Sequence, residues 1–316
     1  MSVAGVQANA DGTAGAVPSV RLRRGQRRRS PFRRRLFPYL LVLPAVIYLL
    51  TITLYPGVYA IYQSFFHVRF NEWIPAGTEN YQQLFQDREF WGALWNTLVI
   101  GGISLIVQCS LAMLLAYYAY RDPLIRGWRI IFLLPMLFMP SAVAFLWKLA
   151  FMDGRVVSDL LMRLGLVSQF IDFSGSVFNA RLTLIVADVW QWTPFLFIIF
   201  VAGLQAQDRE VEEAARLDGA SWAAIFWNIS LPMMKPVIAI AVILRGIDIT
   251  TMFTNVFIMT SGTPGGTTET ISYFIYRMGF KTFNFGYASA ASAVMLIGTI
   301  ITAQLLLKRF FRSGRA

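Results

Sequence analysis

The chain has one cysteine, Cys109, one histidine, His67, and only 17 acidic side chains among 316 residues. A lone cysteine excludes an intrachain disulfide and any thiolate metal cluster built within the chain. With Cys109 and His67 each isolated, no nucleophile and base pair and no metal-ligand spacing can be read, which weighs against an enzyme. The run GxxxxGK[ST] is also missing, so this chain carries no phosphate-binding loop of that type, and any nucleotide energy comes from a partner.

Charge is scarce as well: 14% of residues are charged against 56% hydrophobic, a balance that water-soluble domains of this size do not carry. Six apolar runs, 37–59, 94–118, 130–151, 182–204, 237–259 and 287–307, are long enough to cross a hydrocarbon core of about 30 Å. The expected fold class is therefore all-α integral membrane, with six transmembrane helices. Nineteen of the 28 basic residues cluster at 21–35, 121–129, 209–235 and 308–315. In a six-span chain these regions fall on one side, so the positive-inside rule makes them, and both termini, cytoplasmic.

The net charge of +11 is concentrated in nine arginines at 21–35, beside the first span. That is where topology signals belong, and nucleic acid is not an expected partner. Residues 1–35 read as a disordered basic tail held near anionic headgroups, 36–310 as one six-helix domain, and 311–316 as a second cytoplasmic tail. No cleaved signal peptide is expected, because the run after the basic stretch is of spanning length and no small-x-small site follows it.

Three segments, 66–91, 152–181 and 260–285, fall outside. His67 reads as a loop residue. Val156, Leu160, Leu161 and Leu164 recur at helical spacing and predict a short interfacial helix. The stretch TSGTPGG at 260–266 predicts a shaped loop in which no helix continues. GYASAASA at 286–293 predicts close packing of the last span against another helix.

The interval 205–236 is the longest polar interruption on the inner side. DREVEEAARL at 208–217 is a strong helix former, with Arg209/Glu213 and Glu212/Arg216 spaced for ion pairs. Gly219 fits the left-handed position that ends a helix. Ser221 then caps a second short helix, whose Trp222, Ile225, Phe226 and Ile229 share a side before Pro232 and Pro236 stop it. Periodicity alone leaves open whether this hairpin lies on the membrane or projects towards a soluble partner.

Inside the spans, Asp188, Arg245 and Asp248 break the rule against buried charge. Arg245 and Asp248, three apart, share a face with Ile249 and Met252, while Asp188 lies beside Trp190, Gln191 and Trp192. Two readings stay open: a structural pair of Arg245 with Asp188 or Asp248, or a path whose planar polar groups and rings suit sugars.

Glu213, Ala214, Ala215, three residues, Gly219, nine residues, then Ile229, Ser230, Leu231 and Pro232 resemble the EAA signature of permease subunits of binding-protein-dependent ABC importers, with every signature position filled. PYLLVLPA at 38–45, RIIFLLP at 129–135 and the Gly- and Pro-rich loop after the fifth span are similar to the sugar-permease branch, MalF-like and glycerol-3-phosphate-permease-like, over about residues 33–309. The resemblance implies the type I importer permease fold in the bacterial cytoplasmic (inner) membrane. The chain would form half of a translocation path for a sugar, oligosaccharide, polyol or glycerol-3-phosphate.

Implied partners are a second homologous permease, giving a heterodimer, two ATP-binding subunits carrying ATP and Mg²⁺, and an extracytoplasmic substrate-binding protein. This chain would be no enzyme and hold no cofactor or metal. By the same resemblance Glu213, Ala214, Ala215, Gly219, Trp222, Phe226, Ile229, Leu231 and Pro232 couple to the ATPase. Asp188, Trp190, Gln191, Trp192, Phe195, Arg245, Asp248, Ile249 and Met252 would face the substrate. The chain departs from the branch at Phe253-Thr254-Asn255, where many members have Phe-Asp, and at Thr263, where Gly is commoner. The alternatives are a permease for a non-carbohydrate solute, or a stand-alone transporter or membrane enzyme, neither of which accounts for the EAA spacing.

Overall fold

A computed structural model describes residues 31–69, 72–121, 125–152, 156–169, 172–173 and 175–312. The expected tail falls mostly at 1–30, outside them, as do 313–316. Contacts divide the chain at Tyr55. The first unit contains α1 (Pro31–Leu49), which passes through a wider π turn at Leu50–Leu54 into α2 (Tyr55–Gln63).

In the larger unit, which begins at Pro56 within α2, an antiparallel hairpin follows, β1 (Phe66–Arg69) and β2 (Glu72–Pro75), in which Phe66 faces Pro75. It is followed by α3 (Glu79–Gln86) and α4 (Arg88–Arg121). Next come α5 (Ile125–Leu137), α6 (Pro140–Phe151), α7 (Val156–Arg163) and α8 (Val177–Gln205). The polar interval holds α9 (Arg209–Leu217), α10 (Trp222–Ile225), a π turn at Phe226–Ser230 and α11 (Leu231–Met233). The chain ends with α12 (Lys235–Thr250), α13 (Ile271–Tyr276), a π turn at Arg277–Lys281 and α14 (Phe285–Arg312).

Among the described residues four helical stretches are long and apolar enough to cross a membrane: Pro38–Gln63, Arg88–Arg121, Val177–Gln205 and Phe285–Phe310. The other two expected spans are not rods. Ile130–Leu137 meets Pro140–Phe151 at 96°. Pro140 has no N–H to donate, and Met139 before it is extended at ψ 132°, so the helical ladder cannot continue across the junction.

The fifth span departs from expectation at both ends. Pro232 and Pro236 do not stop the preceding helix. Trp222–Met233 leads into Lys235–Thr250 through a 65° bend, with each proline at the first or second position of a new helical segment, where a missing N–H costs nothing. At the far end α12 stops at Thr250 instead of reaching Met259, and a separate π turn occupies Val256–Thr260. Arg245 and Asp248 therefore lie in the last turns of their helix.

The core runs along α4 and α8. Ala112 and Ala116 of α4 are fully buried beside Leu196, Phe200 and Leu204 of α8, with Met234 and Ala241 closing the cluster. Lipid is as apolar as leucine, so small-against-large packing and polar contacts hold such helices together, with little help from the hydrophobic effect. The small-residue start of α14 behaves as expected, with Ala288, Ala290, Ala291 and Ala293 buried.

In the outer segments α7 confirms the expected short helix, with Val156, Leu160 and Leu164 exposed. The segment 260–285 is a loop only in its first part. From Ile271 it is helical, and Ile271 and Phe274 pack with Phe90 of α4 and Tyr287 of α14.

Candidate functional site

The polar interval folds as a helix–turn–helix. Asp208 caps α9 by accepting from Glu210 N at 3.1 Å. The helix ends in a Schellman turn: Ala220 N donates to Ala215 O and Gly219 N to Arg216 O, both at 3.0 Å, with Gly219 at φ +81°. That conformation is strained for any residue with a Cβ. Ser221 then caps α10, accepting from Ala224 N at 3.3 Å.

Of the two expected ion pairs, Arg216 meets Glu212 at 2.8 Å, while the Arg209 side chain lies outside the described ones. Glu213, Ala214, Gly219 and Trp222 are exposed; Ala215, Phe226, Ile229, Leu231 and Pro232 are half-buried, and Ile225 is buried. Leu217 is 89% exposed beside them.

The base of this hairpin is pinned by a residue that sequence reasoning treated only as a topology charge. Arg121, the last residue of α4, places Nη2 2.5 Å from Glu212 Oε1 with its own side chain 7% exposed. Its guanidinium lies 3.9 Å over the Trp222 ring and 4.9 Å from the Tyr117 ring. Tyr117 donates its hydroxyl to Trp222 O at 3.3 Å and packs on Phe226 at 4.8 Å. The other guanidinium nitrogens of Arg121, Nε and Nη1, are buried without a hydrogen-bond acceptor, so the rings solvate them instead. Burial opposes ionisation of Glu212, but hydrogen bonds and charges from Arg121 and Arg216 outweigh it and hold the carboxyl below its usual value.

The charges inside the spans converge. Arg245 of α12 is 2% exposed; it donates Nη2 to Asp188 Oδ1 of α8 at 2.6 Å and Nη1 to Asp248. Nε donates to Gln108 Oε1 of α4 at 3.1 Å. Gln108 in turn donates Nε2 to Asp188 Oδ2 at 2.8 Å and to Asp188 O at 3.1 Å. Arg245 also lies 4.9 Å from the Trp192 ring. Both candidate pairs therefore exist at once, and Gln108, not singled out from the sequence, ties the third helix in. The span rule applied to uncharged amides as well as charges would have flagged it.

A niche of about 120 Å³ opens beside this cluster, lined by Asp188, Gln191, Trp192, Arg245, Asp248 and Met252 together with Pro140 and residues 251 and 253–255. Three expected path residues lie elsewhere. Trp190 faces an apolar groove and meets Trp147 edge to face at 5.9 Å. Phe195 packs into the α4–α8 core, and Ile249 is buried against Gly101 of α4.

At the far end of α4 and α8, the turn-rich loop is fastened rather than free. Asn96 donates to Gly266 O at 3.0 Å and Glu269 O at 3.1 Å, and Arg181 donates to Asn96 Oδ1 at 2.7 Å and Thr267 O at 3.1 Å. Thr270 donates to Met252 O at 2.7 Å, so the loop is bonded to the wall of the niche. Among the described residues no three His, Cys, Asp or Glu side chains converge to hold a metal.

The family model of binding-protein-dependent transport system inner membrane components matches residues 108–312. The chain is 33% identical over 280 residues to a probable ABC transporter permease of Sinorhizobium fredii, covering 86% of this chain and 89% of that protein. It is 34% identical to the sulfoquinovosyl glycerol transport system permease of Agrobacterium fabrum (86% and 90% covered) and 31% identical to the lactose transport system permease of Rhizobium radiobacter (82% and 89%). Among solved structures, a bacterial ABC transporter involved in import of the acidic polysaccharide alginate superposes with a TM-score of 0.77 at 24% identity, over 89% of this chain and 97% of that one.

Proposed function

The chain belongs to the binding-protein-dependent transport system inner membrane component family, and from that membership we propose that it forms one half of a carbohydrate path, driven by separate ATP-hydrolysing subunits. It is a transport permease component of the inner membrane. A second homologous permease supplies the other half of the path. Two ATPases carry ATP and Mg²⁺, one of them seated on the α9–α10 hairpin, and a binding protein delivers solute to the opposite face. Six membrane crossings with both termini cytoplasmic put the hairpin on the ATPase side.

The observation that carries this reading is the hairpin. Glu213, Ala214, Gly219 and Trp222 are exposed on a turn whose geometry is fixed by capping at both ends. Leu217, at 89% exposure, is an apolar anchor left uncovered among the described residues. Ala215, Phe226, Ile229, Leu231 and Pro232 form the hairpin's inner support. Motion of the seated hairpin reaches α8 and α12 through chain continuity and α4 through Arg121. The path side is the niche lined by Asp188, Gln191, Trp192, Arg245, Asp248 and Met252.

Proteoliposomes containing this chain, its second permease and the ATP-hydrolysing subunits test the reading. Uptake of a labelled disaccharide should require both ATP and binding protein. Leu217→Glu should strip the ATPase from the purified complex; a variant that keeps its ATPase and full uptake would overturn the docking assignment.

A further inference from the structure

The names carried by similar proteins span lactose and an acidic polysaccharide, so likeness does not decide whether the solute is neutral or charged. The niche does. Resting on the reading that it lines the path, we infer that this chain selects an uncharged, polyhydroxylated solute and rejects phosphorylated or acidic sugars.

Arg245 is the only cationic side chain lining the niche among the described residues, and it is already engaged. Its Nε, Nη1 and Nη2 donate to Gln108, Asp248 and Asp188, its face is held 4.9 Å from the Trp192 ring, and its side chain is 2% exposed. An incoming anion would have to displace a carboxylate that is already seated. One guanidinium and two carboxylates leave the cluster with a formal charge of −1. Asp248, 45% exposed, presents that excess to the niche.

The other donors in the lining, on Trp192, Thr254 and Asn255, are uncharged, while its acceptors include the Asp248 carboxylate. Gln191 Oε1 is buried without a donor, while the amide nitrogen of the same side chain donates to Phe138 O at 3.4 Å. Two hydroxyls of a sugar can donate, one to Gln191 Oε1 and one to the Asp248 carboxylate, and the ring has an aromatic neighbour in Trp192. A phosphate or carboxylate at neutral pH finds no unengaged cation in the described lining and meets the like charge of Asp248. A volume of about 120 Å³ is below the ~300 Å³ at which enclosed ligand sites begin, so the niche reads one edge of the solute as it passes.

The test uses the complete importer in proteoliposomes, with lactose, trehalose, trehalose 6-phosphate and glycerol 3-phosphate as labelled probes. A neutral probe should enter at least about tenfold faster than either phosphate. Asp248→Asn, which removes the excess charge, should narrow that ratio about tenfold, whereas Asp248→Glu, which keeps the charge, should preserve it. Gln191→Met, similar in volume but without the acceptor, should slow the neutral probe.

Faster uptake of a phosphate by the parent importer would overturn the inference while leaving the path reading intact. Unchanged uptake of every probe by inserted Asp248→Asn and Gln191→Met would instead remove the niche from the path, and the inference with it. If Asp248→Asn fails to insert, equal loss of discrimination in Asp248→Glu and Gln191→Met would mark Asp248 as structural and overturn the proposal.

Discussion

Two arginines organise this molecule, and they are held in opposite ways. Arg245, between α4, α8 and α12, has three guanidinium nitrogens hydrogen-bonded to two carboxylates and an amide. Arg121, at the base of the hairpin, has one nitrogen on Glu212 and two with no acceptor, covered by Trp222 and Tyr117. Hydrogen bonds are directional, and three of them from three helices fix a position. A cation over a ring is attracted without a steep angular preference, so one ion pair between two rings forms a joint that can slide. The intramembrane cluster is held by directional bonds and the base of the hairpin by contacts that tolerate displacement.

The comparison breaks most sharply at Arg245. Arg245→Ala leaves Asp188, 3% exposed, as an unpaired buried charge, at a cost of about 3–5 kcal/mol. Thermal unfolding in detergent should fall steeply, with little inserted protein recovered. Next in size is the hairpin turn. Gly219→Pro removes the N–H that bonds Arg216 O and forbids φ +81°; we expect normal insertion but loss of coupled uptake in vesicles, with ATP hydrolysis no longer answering to the binding protein.

A smaller effect should follow at the joint. Arg121→Ala removes an ion pair and a ring contact worth together about 1–2 kcal/mol, so insertion should survive while solute moved per ATP falls several-fold. Arg121→Lys, which keeps charge but not the planar stack, should restore only part of it. Equal insertion defects in Arg121→Ala and Arg245→Ala would erase the contrast between the two sites.

The smallest effect is a pH response. Glu212 ionises more readily in the folded hairpin, so its contribution to stability is complete above the unfolded value of about 4.3 and is lost as pH falls through the lower folded value. Hydrogen exchange at 213–220, corrected for intrinsic rates, should be unchanged between about pH 7 and pH 5 and rise below about pH 4.

What the sequence disclosed follows the same division. Hydropathy located the spans of α4, α8 and α14 to within a few residues at most ends, because composition alone specifies a straight apolar rod. It missed the 96° corner after Leu137 and the stop at Thr250, since a running average carries no direction. Pro140, and Thr251, Thr254 and Asn255 interspersed after Thr250, were the available signals. The hairpin was legible at its turn and second cap, because Gly219 and Ser221 act within a few residues of themselves, while Asp208, read as part of the helix, proved to be its cap. Asp188, Arg245 and Asp248 stood out by charge, whereas Gln108 carried none and Arg121 resembled any other basic residue at a span end. Their roles come from contacts made across 137 and 91 residues of chain, beyond the reach of periodicity.

The corner between α5 and α6 has a further consequence. A membrane is an electrical insulator, and a helix keeps it so by sealing its own backbone; at the corner that seal is open, and Phe138 O turns to the Gln191 amide for a partner at 3.4 Å. Backbone left open at bilayer depth is stable only where protein plugs it or water reaches it. The corner therefore depends on a single side-chain donor from α8, and losing the Gln191 amide would leave that carbonyl to water or unpaired.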